Sequence, residues 1–282
     1  MSEPTPRNRA ALRRATTKVP ELTAYFWLTK ILTTAMGEST SDFMNAALGP
    51  AIAVPLMLIG LWASLRLQFK QRGYVAWSYW LVVVMVAVFG TSAADALHVG
   101  FGIPYTLSTT FYLIVLAVIL TAWYRSERTL SIHSIYTPRR EQFYWATVLA
   151  TFALGTAAGD LTATSFHLGF LTSGVLFAVV IAVPALAYWR LGMKEILAFW
   201  FAYITTRPLG ASYADWLENP HHLSGLGLGA GPVSLALTLV IVGLVAYLTI
   251  SRVDVSADSV DVGAEGVTAL AGPQPALDLE FD

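Results

Sequence analysis

The chain is 282 residues long with a formal net charge of −1, and 56% of it is hydrophobic against only 12% charged. A mean hydropathy of +0.60 excludes an ordinary soluble domain and predicts a polytopic membrane protein with lipid around it and no nucleic-acid partner. The absence of cysteine excludes disulfides and thiolate metal sites as well.

Residues 1–20 carry Arg7, Arg9, Arg13, Arg14 and Lys18 and are predicted to form a basic cytoplasmic tail. They lack the compact order of basic region, apolar stretch and small-residue cleavage site, so the first helix is expected to stay in the mature protein. Crossing a bilayer core takes about 20 mostly apolar residues. Runs of that length fall near Glu21–Asn45, Pro50–Phe69, Tyr74–His98, Pro104–Tyr124, Glu141–Thr164, Phe166–Trp189, Glu195–Glu218 and Pro232–Ser251. None alternates in polarity as barrel strands do. The predicted fold is therefore an all-α integral membrane domain of eight transmembrane helices over residues 21–251. Residues 252–282, with seven acids against Arg252, are expected to be an acidic, disordered cytoplasmic tail.

The loops set the orientation. Arg66, Lys70 and Arg72 lie at the second connection, Arg125, Arg128, Arg139 and Arg140 at the fourth, and Arg190 and Lys194 at the sixth, while the odd connections hold no Lys or Arg. The positive-inside rule then places both termini in the cytoplasm.

A repeat runs through the helices. Trp27/Gly37/Asp42, Trp80/Gly90/Asp95, Trp145/Gly155/Asp160 and Trp200/Gly210/Asp215 share one spacing, with glycine ten residues and aspartate fifteen residues after tryptophan. Two helices fit in each unit, approximately 21–70, 74–124, 141–190 and 195–251. An even helix count preserves direction, which predicts four parallel copies about an axis along the membrane normal. Trp and Asp stand ~22 Å apart along a helix. The tryptophans are expected at the cytoplasmic interface, where indole is favoured, and the four aspartates at one depth toward the outside.

These motifs, with the segment Lys30-Ile31-Leu32-Thr33-Thr34-Ala35-Met36-Gly37-Glu38, resemble an uncharacterised bacterial membrane-protein family of four tandem two-helix repeats with a characteristic tryptophan, a repeat of unknown function. The resemblance covers approximately residues 21 to 251. It implies the architecture and a bacterial inner-membrane setting, and supplies no mechanism.

Chemistry must come from the charges. Lys30, Glu38, Asp42, Asp95, Asp160, Arg207 and Asp215 all lie on odd helices, so odd helices should line a polar centre and even ones face lipid, where carboxylates are costly. The motif glycines suit close helix packing. Five acids against two bases would leave −3 in the core, tolerable with protonation, water or bound cations. Glu38, Asp42, Asp95, Asp160 and Asp215 are thus the candidate cation or proton site, supported by Lys30, Thr33, Thr34 and Arg207. Lys30, Thr34, Glu38 and Asp42 follow at steps of four on one helix face, and a hard cation wants such oxygens. Glu38 and Asp42 are therefore the candidate metal ligands, and repeats 1 and 4 should dominate the site. Lys30 sits two turns from Glu38, too far for an easy pair, and the Arg207 guanidinium could act as a built-in surrogate cation. The middle repeats offer Thr91, Ser92 and Thr156.

Histidines are a weaker signal. Asp215, Glu218, His221 and His222 form an outer candidate metal group without a recognised zinc spacing, and Gly225–Gly231 reads as a flexible outer connection. No nucleophile, histidine and acid set points to an enzyme, and no cofactor is expected beyond a bound metal cation. Two functions follow as expectations. One is a transporter or channel for a small cation, such as a divalent metal with proton coupling. The other is a non-transporting sensor or assembly protein whose polar core is structural. A homo-oligomer is compatible with either.

Overall fold

The computed structural model describes residues 17–255. They form eight long helices: α1 (Ala24–Leu48), α2 (Pro50–Lys70), α3 (Ala76–Asp95), α4 (Tyr105–Glu127), α5 (Pro138–Asp160), α6 (Phe170–Leu191), α7 (Glu195–Glu218) and α8 (Ala230–Ser251). No strand occurs among the described residues. Local chemistry sets the ends. Thr23 and Thr137 cap α1 and α5 by accepting the amides of Phe26 and Arg140, each at 3.3 Å, and prolines open α2 and α5. Directly after Asp95 and Asp160, α3 and α5 run into five-residue π-helical segments, Ala96–Gly100 and Leu161–Ser165.

Six helices are long and apolar enough to cross a membrane, which marks a multi-pass membrane protein. The other two, α1 and α7, match them in length at 25 and 24 residues. They are the helices that carry Lys30, Glu38, Asp42, Arg207 and Asp215.

The odd helices form a closed ring in which α1 packs on α3, α3 on α5, α5 on α7 and α7 on α1. In α3 and α5, 67% of the apolar window is buried, against 22% in each even helix. Each even helix lies outside the ring, and packs chiefly on the odd helix that follows it rather than the one before. Thus α2 lies on α3, α4 on α5, α6 on α7, and α8 returns to α1. The two-helix unit of the sequence is therefore not the packing unit.

One contact repeats at all four ring interfaces. A Cβ added to Gly37 would collide with Ala87, to Gly90 with Phe152, to Gly155 with Arg207 and to Gly210 with Thr34. Each obstacle stands three residues before the next repeat's motif glycine. The glycines let neighbouring helices approach at one register around the whole ring.

Two expectations need correction. Trp80, Trp145 and Trp200 are at most 4% exposed and pack with Phe26, Tyr79, Tyr144, Phe199 and Tyr203 inside the ring, so they are core residues rather than interfacial ones. The cause is the helical period of ~100° per residue, which puts each tryptophan on the same half of its helix as its glycine and aspartate. Of the four motif tryptophans, only Trp27 is half-buried.

The tail boundaries also shift. Lys18 is buried, and its Nζ donates to Glu141 Oε2 at 2.6 Å. Asp254 is buried as well, accepts the Tyr74 hydroxyl, and offers its carbonyl to the Glu21 amide at 2.9 Å. Burial pushes the Asp254 carboxyl above its ordinary range, and the Tyr74 bond only partly offsets this. The remaining tail residues, Arg7, Arg9, Arg13 and Arg14 and the acids beyond residue 255, lie outside the described residues.

Candidate cation site

Arg207 organises the centre of the ring. It is fully buried on α7. Its Nη2 donates to the Glu38 carboxylate, to Thr91 Oγ1 and, at 2.6 Å, to Thr156 Oγ1, while Nη1 donates to the Thr34 carbonyl at 3.2 Å. A guanidinium presents five donors in a fixed fork, which suits several acceptors at once. Glu38, Thr91 and Thr156 are equivalent positions, each directly after its motif glycine; the fourth such residue is Ala211. Superposing the repeats on their tryptophans puts these four in one column. The roles of Thr91 and Thr156 are legible in that column, which the four-step face of α1 does not contain.

The supporting residues divide. Thr34 Oγ1 lies 3.2 Å from the Thr206 carbonyl and binds α1 to α7. Thr33 does not reach the site, because its hydroxyl donates back to the Lys30 carbonyl at 2.8 Å. Lys30 pairs with no acid among the described residues. Its Nζ is buried without a hydrogen bond and lies 4.1 Å from the Phe152 ring and 4.4 Å from that of Tyr203. The physical reason is reach, since two helical turns separate it from Glu38 and the guanidinium occupies the space nearer that carboxylate.

Beside the Glu38 and Arg207 pair lies a cavity of about 660 Å³ that takes in all five predicted acids, Glu38, Asp42, Asp95, Asp160 and Asp215, with Asn45, Ser92 and Tyr105 among its other walls. Glu38 and Asp215 are 4% and 7% exposed, whereas Asp42, Asp95 and Asp160 are half-buried. One oxygen each from Glu38, Asp42 and Asp215 lies within 4.8 Å of the others, close enough for a single ion to touch all three. These belong to repeats 1 and 4, as the sequence indicates.

A family model described as Repeat of Unknown Function (DUF347) matches residues 25–74, 78–129, 143–193 and 198–254. The chain belongs to the DUF347 repeat family. No curated protein and no solved structure matches it. The four DUF347 matches each span one odd helix and the even helix after it, so the family's unit is the covalent hairpin, while the packing pairs helices across unit boundaries.

The outer metal group of this DUF347 protein does not assemble. Asp215 and Glu218 are buried, but His221 and His222 are exposed, and His221 Nδ1 lies 2.8 Å from the Gly225 carbonyl. The chain turns away at Pro220 and brings the glycine-rich loop back over the end of α7. There Leu226, Gly227, Leu228 and Gly229 amides donate to the carbonyls of Trp216, Asn219, Leu217 and Glu218 at 2.7–3.1 Å. That loop was expected to be flexible; its amides instead cap α7, satisfying carbonyls a helix end leaves open. His98 is also occupied, stacked on Tyr105 with centroids 3.5 Å apart.

Proposed function

We propose that this protein is a transporter or channel for a small cation in a bacterial inner membrane. All eight helices cross the bilayer as four parallel repeats about an axis along its normal, with both termini cytoplasmic and the aspartates toward the outside. The observation that carries this reading is the convergence of five carboxylates on one cavity, with a single guanidinium as hydrogen-bonded counter-charge. Intramembrane acids beyond what the bases neutralise mark a cation or proton path.

A cation reaching Glu38, Asp42 and Asp215 competes with Arg207 for the Glu38 carboxylate. Occupancy therefore loosens the contact that ties α7 to α1, and Arg207 acts as the tethered cation that holds the place meanwhile. Beyond Arg207 the way is closed by Lys30 and the packed rings of Tyr79, Trp80, Tyr144 and Tyr203. Passage requires that aromatic floor to part. A divalent metal ion, bound by three carboxylates against exchangeable protons, fits the oxygen-rich trio.

Flux in proteoliposomes across a panel of metal ions and amines, with and without a pH gradient, tests the reading. Glu38→Gln and Asp42→Asn should each abolish uptake while the protein stays monodisperse, with Asp95→Asn less damaging because that aspartate is outside the close trio. Normal flux in Glu38→Gln overturns the assignment. The second reading, a non-transporting sensor or assembly protein, is favoured by one observation: Arg207 touches all three other repeats and so serves as a structural tie. It predicts no flux for any ion in intact protein.

A further inference from the structure

The cavity is far larger than one inorganic ion needs. At about 660 Å³ it falls among small-molecule pockets, typically ~300–1,000 Å³, while a water molecule's share of liquid volume is only ~30 Å³.

The acids also fall into two sets. An ion with oxygen ligands at ~2.3–2.6 Å can bridge Glu38, Asp42 and Asp215, whose oxygens lie within 4.8 Å of one another. Asp95 and Asp160 line the same cavity but do not join that set. The division follows the ring, since the trio stands on α1 and α7 while Asp95 and Asp160 stand on α3 and α5. A single metal ion on the trio leaves the other two carboxylates without compensation.

None of the carboxylates of Asp95, Asp160 and Asp215 accepts a hydrogen bond among the described residues. Asp215 is only 7% exposed and borders the cavity. A buried carboxylate without a partner is costly, and a bound donor in the cavity would satisfy it. The cavity's wall also includes Tyr105, Phe101, Phe170 and Val54. Hydrocarbon surface supplies no oxygen ligand to a metal ion, but it favours an aliphatic chain.

We propose that the cavity binds a linear aliphatic di- or polyammonium ion, with one ammonium on Glu38, Asp42 and Asp215, another on Asp95 and Asp160, and the intervening methylenes against Tyr105. An ammonium carries three donors and no acceptor, the complement of acceptor-only carboxylates. The inference rests on the cation reading above and names the cargo's class.

Calorimetric titration of the purified full chain tests it with spermidine, putrescine, n-butylamine and Mn²⁺, beside uptake of labelled spermidine into proteoliposomes. Putrescine and spermidine should bind at least about ten-fold more tightly than the monoamine, a difference of about 1.4 kcal/mol. Asp95→Asn with Asp160→Asn should erase that preference, weakening putrescine and spermidine at least about ten-fold more than n-butylamine. Equal affinity for mono- and diamine, or Mn²⁺ uptake that spermidine does not inhibit, overturns the organic cargo and leaves the cation reading standing. If no amine or metal ion binds or moves in folded protein, both are overturned.

Discussion

Two basic side chains, Arg207 and Lys30, are buried completely in the ring, and their partners differ enough to predict opposite consequences of removal. Arg207 holds Glu38, Thr91, Thr156 and the Thr34 carbonyl. Breaking a buried pair by deleting one member costs about 3–5 kcal/mol, because the other charge is left alone. Arg207→Met should therefore lower the thermal midpoint sharply, and adding Glu38→Gln should recover part of the loss. Lys30 has only ring faces for its charge. A desolvated cation–π contact is worth about 2 kcal/mol, against several for burying an ammonium. Lys30→Met should thus be neutral or stabilising in the same thermal assay. A loss comparable to that of Arg207→Met would mean that Lys30 serves an acid in another state of the protein.

At the scale of elements, the motif glycines differ from Gly243 on the outer helix α8. Alanine in place of Gly155 would strike the stem of Arg207 and the Pro208 ring, whereas nothing lies within 4 Å of a Cβ at Gly243 on α8. Helix propensity alone favours alanine by about 1 kcal/mol, and overpacking costs about 1–3 kcal/mol. Gly243→Ala should raise the midpoint slightly, while Gly155→Ala should lower it and displace the guanidinium from Thr156. Equal effects would show that the close approach is not what the glycine provides. Helix positions were legible in the sequence because long, mostly apolar runs set six of them outright, and the four aspartates were legible because charge is so rare here. The packing of α2 on α3 rather than on α1 was not, since the outer helices are apolar on most sides and carry no stripe that names a partner. The buried place of Trp80, Trp145 and Trp200 was open to helical-period reasoning, but the general preference of indole for interfaces pointed elsewhere.

For the whole molecule, much of the site was readable and its limits were not. Spacing along α1 put Glu38 and Asp42 on one face, and the structure brings Asp215 to them. It also removes His221 and His222, whose nearness in sequence is undone by the turn at Pro220. Which repeat neighbours which across the ring depends on long-range closure, and short-range patterns do not carry that information.

Because α8 lies on α1, α1 receives its outer partner only after the six helices between them have been made. Every other outer helix directly precedes the ring helix it covers, so only α1 waits for a partner made far later. An unfinished chain keeps an uncovered flank on α1 until α8 arrives, which gives membrane quality control a simple mark of incompleteness. Starting the chain at α8 would make α8 and α1 consecutive too, so that every outer helix would directly precede the ring helix it covers. The bond from the Glu21 amide to the Asp254 carbonyl brings these two residues close enough for a short linker to join the chain there. Such a permuted chain, opened in the loop before Ala230, should insert and keep the parent's thermal midpoint, and its nascent intermediates should resist protease earlier in synthesis. The same protease sensitivity at every length as the parent would show that neighbours in the ring find each other without regard to the order in which they are made.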